Sequence, residues 1–287
     1  MRLFFTVANN SSSVYYAKIF KAAGHEVYMG DYNPNAIGKR FADKFFKLLP
    51  QDDVGYIIQL ENICRQHDVD LLIPASEGEC IDIANHADIL KKNGTIPIII
   101  NDKALTICAN KHLTYSVLQG VPVPEHARVS QLCSKPEMGS GSKEFKVYPA
   151  STSMTLAMEY LEGEHYDSTL IAKAGHVLHQ SIRTREQVVD GTITQGRIVR
   201  HKHIEHYNLM IAQQLDLTGY VSPQWIDVPG RGPVLVEINP RWSTSLGIEE
   251  YMMSIDLALG NPITPINMDE YIGTQMIRYW DMEVWKE

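Results

Sequence analysis

Cysteine is scarce in this chain. Cys64, Cys80, Cys108 and Cys133 are the only four among 287 residues, and no pair has C-x-x-C spacing. That excludes a disulfide framework and the usual zinc-binding spacings, and fits reduced, buried thiols. Long apolar runs are missing too. No stretch approaches the ~20 residues of a membrane span, and the opening run Leu3-Phe4-Phe5-Thr6-Val7 is too short for a signal-peptide core. A soluble, cytoplasmic protein is expected. Positive charge is in deficit, with 26 Lys and Arg against 34 Asp and Glu, a net charge of −8. A nucleic-acid backbone is therefore not expected as the main partner. Glycine is absent from the first loop, Ala8-Asn9-Asn10-Ser11-Ser12-Ser13. A dinucleotide fingerprint needs glycine there for its tight turn and close pyrophosphate approach, so NAD is not expected. This holds although Asp31 follows at about the ~20-residue interval of a ribose-binding acid.

What is present is ordinary globular composition, 44% hydrophobic and 21% charged, enough for one large or two modest cores. Strand and helix patterns alternate along the first hundred residues. Strand Leu3–Val7 is followed by helical spacing at Val14, Ala17, Phe20 and Ala23, which Gly24 ends. A strand at Val27–Met29 ends at Asp31, a helix covers Tyr56–His67, and strand Val69–Ile73 leads to one helix over Glu79–Lys92, stopped by Gly94. Strand Ile96–Ile100 closes the series, so a parallel sheet of Rossmann type is expected. Pro74-Ala75-Ser76-Glu77-Gly78-Glu79 lies at a strand's carboxyl end, where open α/β sheets place ligands. Glu77 and Glu79 each have two readings, a helix-start acid favoured by the dipole or a substrate-facing group.

From Asn101-Asp102 a helical pattern reaches Gly120, and Val121-Pro122-Val123-Pro124 breaks it. Lys135 then ends a strand and leads into Gly139-Ser140-Gly141-Ser142. Backbone N–H groups of such a loop can converge on a phosphate while the lysine supplies charge. No G-K-[ST] follows, so this is not a P-loop. Lys173-Ala174-Gly175-His176 reads as a hairpin tip between strands Ser168–Ala172 and Val177–Ile182. After the apolar run Val234-Leu235-Val236 comes Glu237-Ile238-Asn239-Pro240-Arg241, whose alternation puts Glu237, Asn239 and Arg241 on one strand face. Taken alone, that triplet also fits an edge strand with a solvated polar face.

The ordered set Asn110-Lys111, Val121-Pro122-Val123-Pro124, Lys135-Pro136 with Gly139–Ser142, Glu159-Tyr160-Leu161-Glu162-Gly163, Gln224 and Glu237-Ile238-Asn239-Pro240-Arg241 resembles the ATP-grasp superfamily. The branch is similar to carbamoyl phosphate synthetase large-subunit modules and the pyrrolysine-biosynthesis ligase. The resemblance implies an α/β chain with a Rossmann-like pre-ATP-grasp domain at 1–100 and an ATP-grasp domain at 101–287, its lid near 112–158. It implies ATP and Mg²⁺ as cofactors. Lys111 and Lys135 would meet the ATP phosphates, and Gly139, Ser140, Gly141 and Ser142 would cover them. Glu159, Tyr160 and Leu161 would form the adenine hinge, and Gln224, Glu237 and Asn239 would hold Mg²⁺. Arg241, with Lys135, would serve catalysis by clamping the transferred phosphoryl group.

Several positions depart from that pattern. Lys143-Glu144 follows the Gly/Ser loop instead of a further glycine, and only 143–158 separates it from the hinge. Where the family has a ribose-binding acid stands His165, with Glu164 beside it as a substitute. Trp242-Ser243-Thr244-Ser245 replaces glycines after the arginine.

The implied activity is ATP-dependent ligation of a small-molecule carboxylate to an amine, both from amino acids or related metabolites. Expected partners include no nucleic acid and no membrane, with a homodimer among the assemblies left open. The alternatives are a nucleotide-binding chain without turnover and a bicarbonate-activating enzyme. Arg183 and Arg185, two apart on one strand face, read equally as surface charges or as substrate contacts. His201, His203 and His206 lack zinc spacing and read as a solvated basic helix start, and Asp227 as a surface acid near a turn. Trp280 and Trp285 are expected to pack a closing segment.

Overall fold

A computed structural model of the chain describes residues 1–10, 12–129, 133–134, 146–147, 155–189, 192–243 and 247–278. The first part alternates strand and helix: β1 (Arg2–Phe5), α1 (Ser13–Ala22), β2 (Glu26–Asp31), β3 (Lys44–Lys47), α2 (Tyr56–Gln66), β4 (Leu71–Ile73), α3 (Glu77–Asn85), α4 (Ala87–Lys92) and β5 (Ile96–Pro97). The five strands pair in parallel in the order β3-β2-β1-β4-β5. Strand order reverses beside β1, so a crevice opens at the carboxyl ends of β1 and β4. Gly24 and Gly94 end α1 and α4 at positive φ, as their positions in the sequence imply.

Two local readings are corrected, and one strand has no counterpart in the sequence reading. The Lys-Phe-Phe-Lys strand β3 has too short an apolar run to register as a pattern; it forms because it closes the edge of a preformed sheet. The helix expected over Glu79–Lys92 is two, since His86 leaves helical geometry at φ −113°, ψ 5°. Its Nδ1 lies 2.8 Å from Glu61 Oε1. The pattern up to Gly120 likewise divides into α5 (Asp102–Cys108) and α6 (Lys111–Val117). Asn110 is the reason: its side-chain oxygen accepts the Leu113 N–H at 3.1 Å, capping a new helix.

The second part contains β6 (His126–Val129), β7 (Cys133–Ser134), β8 (Lys146–Val147), β9 (Thr155–Met158), β10 (Glu164–Lys173), β11 (His176–Thr184), β12 (Gln187–Val189) and β13 (Thr192–Val199). After these come α7 (Lys202–Leu215), β14 (Gly219–Val228), β15 (Gly232–Asn239), α8 (Ile248–Leu259) and β16 (Gln275–Ile277). Seven strands form an antiparallel sheet in the order β12-β13-β11-β10-β14-β15, with β16 added to β13. The expected hairpin tip holds, with Ala174 and Gly175 at φ +47° and +75°. Trp280 and Trp285 lie outside the described residues.

One apolar core joins the two parts. Leu3, Phe5 and Phe20 from the parallel sheet and its helix pack with Trp242, Tyr251 and Ile255 from the end of β15 and α8. Phe20 and Trp242 stack at 6.0 Å with 15° between planes. The thiols of Cys64, Cys80 and Cys108 are free and buried, and burial pushes each up to about 12. They are inert packing groups, as their scatter implied.

Candidate functional site

Register across the antiparallel sheet builds a charged row. Arg183 on β11 is opposite Asp167 on β10, Asp167 is opposite Gln224 on β14, and Gln224 is opposite Glu237 on β15. Facing residues on paired strands project to the same side, so four polar side chains line up across four strands. Asn239 follows Glu237 by two residues on β15, and Arg185 follows Arg183 by two, one residue beyond the end of β11. Lys111, the first residue of α6, reaches the row from outside: its Nζ is 2.9 Å from Glu237 Oε2. Asn239 Nδ2 donates to Glu237 Oε1 at 3.2 Å, and Arg241 donates to Asn239 Oδ1 at 3.5 Å. Arg185 Nη1 donates to Gln224 Oε1 at 2.8 Å and approaches Asp167 Oδ1 at 3.4 Å.

Lys111, Arg185, Gln224, Glu237, Asn239 and Arg241 are thus one cluster, though 130 positions separate the first from the last. β15 is an edge strand, yet its polar face is not simply solvated. Asn239 is 6% exposed, and Tyr115 OH on α6 donates to the Val236 carbonyl, covering the edge. Burial pushes the Glu237 carboxyl upward, but Lys111, Asn239 and Arg241 outweigh it and hold the group below the usual carboxylate range. Among the described residues no three His, Cys, Asp or Glu converge as a metal cluster. The oxygen donors here are one carboxylate and two amides, a hard set that fits Mg²⁺ bound mainly through waters and phosphate.

Residues 108–245 match the ATP-grasp domain family, and residues 5–99 match the PylC-like N-terminal domain family. The chain belongs to the ATP-grasp superfamily. Among solved structures, it is similar to the ADP complex of N5-carboxyaminoimidazole ribonucleotide synthetase, with TM-score 0.63 and 14% identity over 93% of this chain and 78% of that one. The biotin carboxylase–β,γ-ATP complex from Campylobacter jejuni gives TM-score 0.64 and 14% identity, covering 94% and 73%. Rhizobium etli pyruvate carboxylase gives 0.67 and 15%, covering 96% of this chain but 30% of that chain. No curated protein matches the sequence. Identities this low establish the shared fold.

The remaining positions fall in this ATP-grasp frame as follows. Lys135 and Gly139, Ser140, Gly141 and Ser142 lie outside the described residues. Glu159 pairs with Arg231 at 2.6 Å and accepts the Glu125 N–H at 3.0 Å, Tyr160 is 87% exposed, and Leu161 packs with Ile226 and Val234. Glu164 accepts the Tyr166 hydroxyl at 2.6 Å.

Glu79 is a helix-start acid. Glu79 completes a capping box with Ser76, and its oxygens are taken by Thr6, Tyr56, Ala75 and Ser76. Glu77 occupies the first position of the same helix. Arg183 is not a surface charge: it is 5% exposed, donates to Thr169 at 2.8 Å, and pairs with Glu250. His201 is not solvated either. It caps α7 and lies 3.1 Å from Asp227 Oδ2, which turns the supposed surface acid into its partner.

Sequence reading missed two buried acids. Asp167 is 6% exposed, and burial pushes it up to about 6 against the pull of Arg185 and Arg183. Its signal was present, since extending the alternation of Ser168–Ala172 backwards brings Asp167 into the strand. Glu250 on α8 is 6% exposed, and although burial opposes its charge, Arg183, His179 and Ser181 hold it far below the carboxylate range. An acid in the first turn of a helix carries no mark of burial.

Proposed function

We propose that this chain is an ATP- and Mg²⁺-dependent ligase joining a small-molecule carboxylate to an amine through an acyl phosphate. The observation that carries the reading is the convergence of Lys111, Gln224, Glu237, Asn239 and Arg241 in one cluster at the end of the charged row. Gln224, Glu237 and Asn239 would hold the metal, which would neutralise phosphate charge when bound. Lys111 supplies positive charge to the phosphates, and Lys135 with Gly139–Ser142 serves as the cover. Glu159, Tyr160 and Leu161 form the adenine hinge.

Arg241 borders a cleft lined by Val7, Asn10, Pro74 and Ala75, at the carboxyl ends of β1 and β4. The space beside Arg241 is only about 20 Å³, but it shares Val7, Asn10 and Ala75 with a cavity of about 400 Å³ at the same strand ends, where acceptor substrates would enter, placing Arg241 on the substrate side of the γ-phosphate. A carboxylate oxygen attacks the γ-phosphorus and the bond to the bridging oxygen breaks, releasing ADP. The amine nitrogen then attacks the acyl carbon, phosphate leaves, and the nitrogen gives up a proton. Positioning and charge neutralisation carry the acceleration, and no covalent enzyme intermediate is required.

The test is ADP release from ATP with and without Mg²⁺, before and after adding a pool of amino acids. Mg²⁺-dependent ADP formation that rises with the pool is expected. Thermal stabilisation by ATP with no ADP under any of these conditions would leave a nucleotide-binding chain without turnover. The shortened segment 143–158 supports that second reading, because a smaller cover excludes water less well.

A further inference from the structure

Every oxygen of the candidate metal set already accepts from an internal donor. Glu237 Oε2 has Lys111 Nζ at 2.9 Å, and Glu237 Oε1 has Asn239 Nδ2 at 3.2 Å. Asn239 Oδ1 has Arg241 at 3.5 Å, and Gln224 Oε1 has Arg185 at 2.8 Å. Three side-chain cations therefore stand where a metal would have to enter. A free divalent ion gains one carboxylate, displaces an ammonium from it, and is left close to two guanidinium groups. Coulomb repulsion at such distances offsets most of the gain.

The three cations are not held alike. Arg185 is 14% exposed and sits between Asp167 and Gln224, whereas the Lys111 side chain is 46% exposed. Asn110 caps α6 and fixes the Lys111 backbone, but the four-carbon stem leaves the ammonium free to swing. An arriving triphosphate offers that ammonium a second anion, and its departure bares Glu237 Oε2.

We propose that Lys111 is a latch on the metal site: it closes Glu237 to free divalent cations until nucleotide draws it away, so metal and nucleotide load together. This rests on the ligase reading of the cluster as a nucleotide–metal site, and the test separates the two. The full chain is titrated with Mn²⁺, and free Mn²⁺ is followed by its EPR signal, with and without a non-hydrolysable ATP analogue. Wild type is expected to bind Mn²⁺ with the analogue and about ten-fold more weakly without it. Lys111→Met is expected to raise nucleotide-free affinity by about ten-fold, the worth of one hydrogen bond to a charged group. Lys111→Gln should do the same, Lys111→Arg should keep the site closed, and adding Glu237→Gln to Lys111→Met should remove the gain. Nucleotide-free binding by wild type as tight as by Lys111→Met overturns the latch alone. No Mn²⁺ bound even with the analogue overturns the nucleotide–metal reading and the latch with it.

Discussion

Single side chains divide here into those whose charge serves the cluster and those whose charge serves the fold. Glu237 lies on the half-buried face of an edge strand, where it contributes little to packing. Glu237→Ala is therefore expected to lower ADP formation by at least about 100-fold while shifting the melting temperature by less than about 2 °C. Wild-type turnover in that variant would remove the carboxylate from the site. Glu250 is the opposite case, a buried acid gripped by Arg183, His179 and Ser181. Glu250→Gln leaves Arg183 buried without its counter-charge and is expected to cost about 3–5 kcal/mol, read from urea denaturation. The pH dependence follows from the direction of the shift. Glu250 is held below its ordinary value of 4.5, so its stabilisation is fully present above that pH and is lost as pH falls through the depressed folded value. The acid limb of wild-type stability should be steeper than that of Glu250→Gln.

Among the elements, the β10–β14 pairing depends on one glycine ahead of the charged row. A Cβ on Gly163 would sit 2.1 Å from the Asp227 carbonyl oxygen, so the segment before β10 and strand β14 can approach only without a side chain. Gly163→Ala is expected to cost about 1–3 kcal/mol and, if Glu159–Leu161 form the proposed adenine hinge, to weaken ATP binding measured by calorimetry, because that segment and β14 must move apart. Unchanged stability would show that β14 can yield there. The two helix interruptions obey the same local logic. Asn110 offers its own side-chain oxygen to the backbone and starts α6 anew, which places Lys111 at a helix start beside β15. A continuous helix through Asn110 would carry Lys111 on another heading. His86 and Asn110 were both visible in sequence, but apolar periodicity runs through each of them, and only the backbone conformation separates the helices.

In the molecule taken together, the parallel sheet and the antiparallel sheet share an apolar core centred on Trp242, which contacts Phe5, Phe20 and Tyr251. The indole N–H donates to Ser254 at 3.0 Å. A shared core this apolar couples the two parts, so a single cooperative urea transition is expected, coincident by fluorescence and circular dichroism. Trp242→Ala should cost about 3–5 kcal/mol and separate the two probes. Two transitions in the wild type would mean that each part is stable without the other. Trp242 directly follows Arg241, so the residue that locks the parts together also fixes the arginine facing the crevice of the first sheet.

The alternation of strand and helix, the hairpin at Ala174-Gly175, the glycine stops and the membership in the ATP-grasp superfamily were all written in local pattern: period, turn chemistry and motif order. Those signals act over a few residues, where backbone sterics and side-chain periodicity decide the outcome. What the tertiary structure alone decided is which charges meet. Cross-strand register brings Arg183, Asp167, Gln224 and Glu237 into line from four strands. Burial then sorts near-identical residues, sending Arg183 into a structural pair and Arg185 to the cluster. Electrostatic energy depends on distance and on exclusion of water, and neither exists until distant segments have packed.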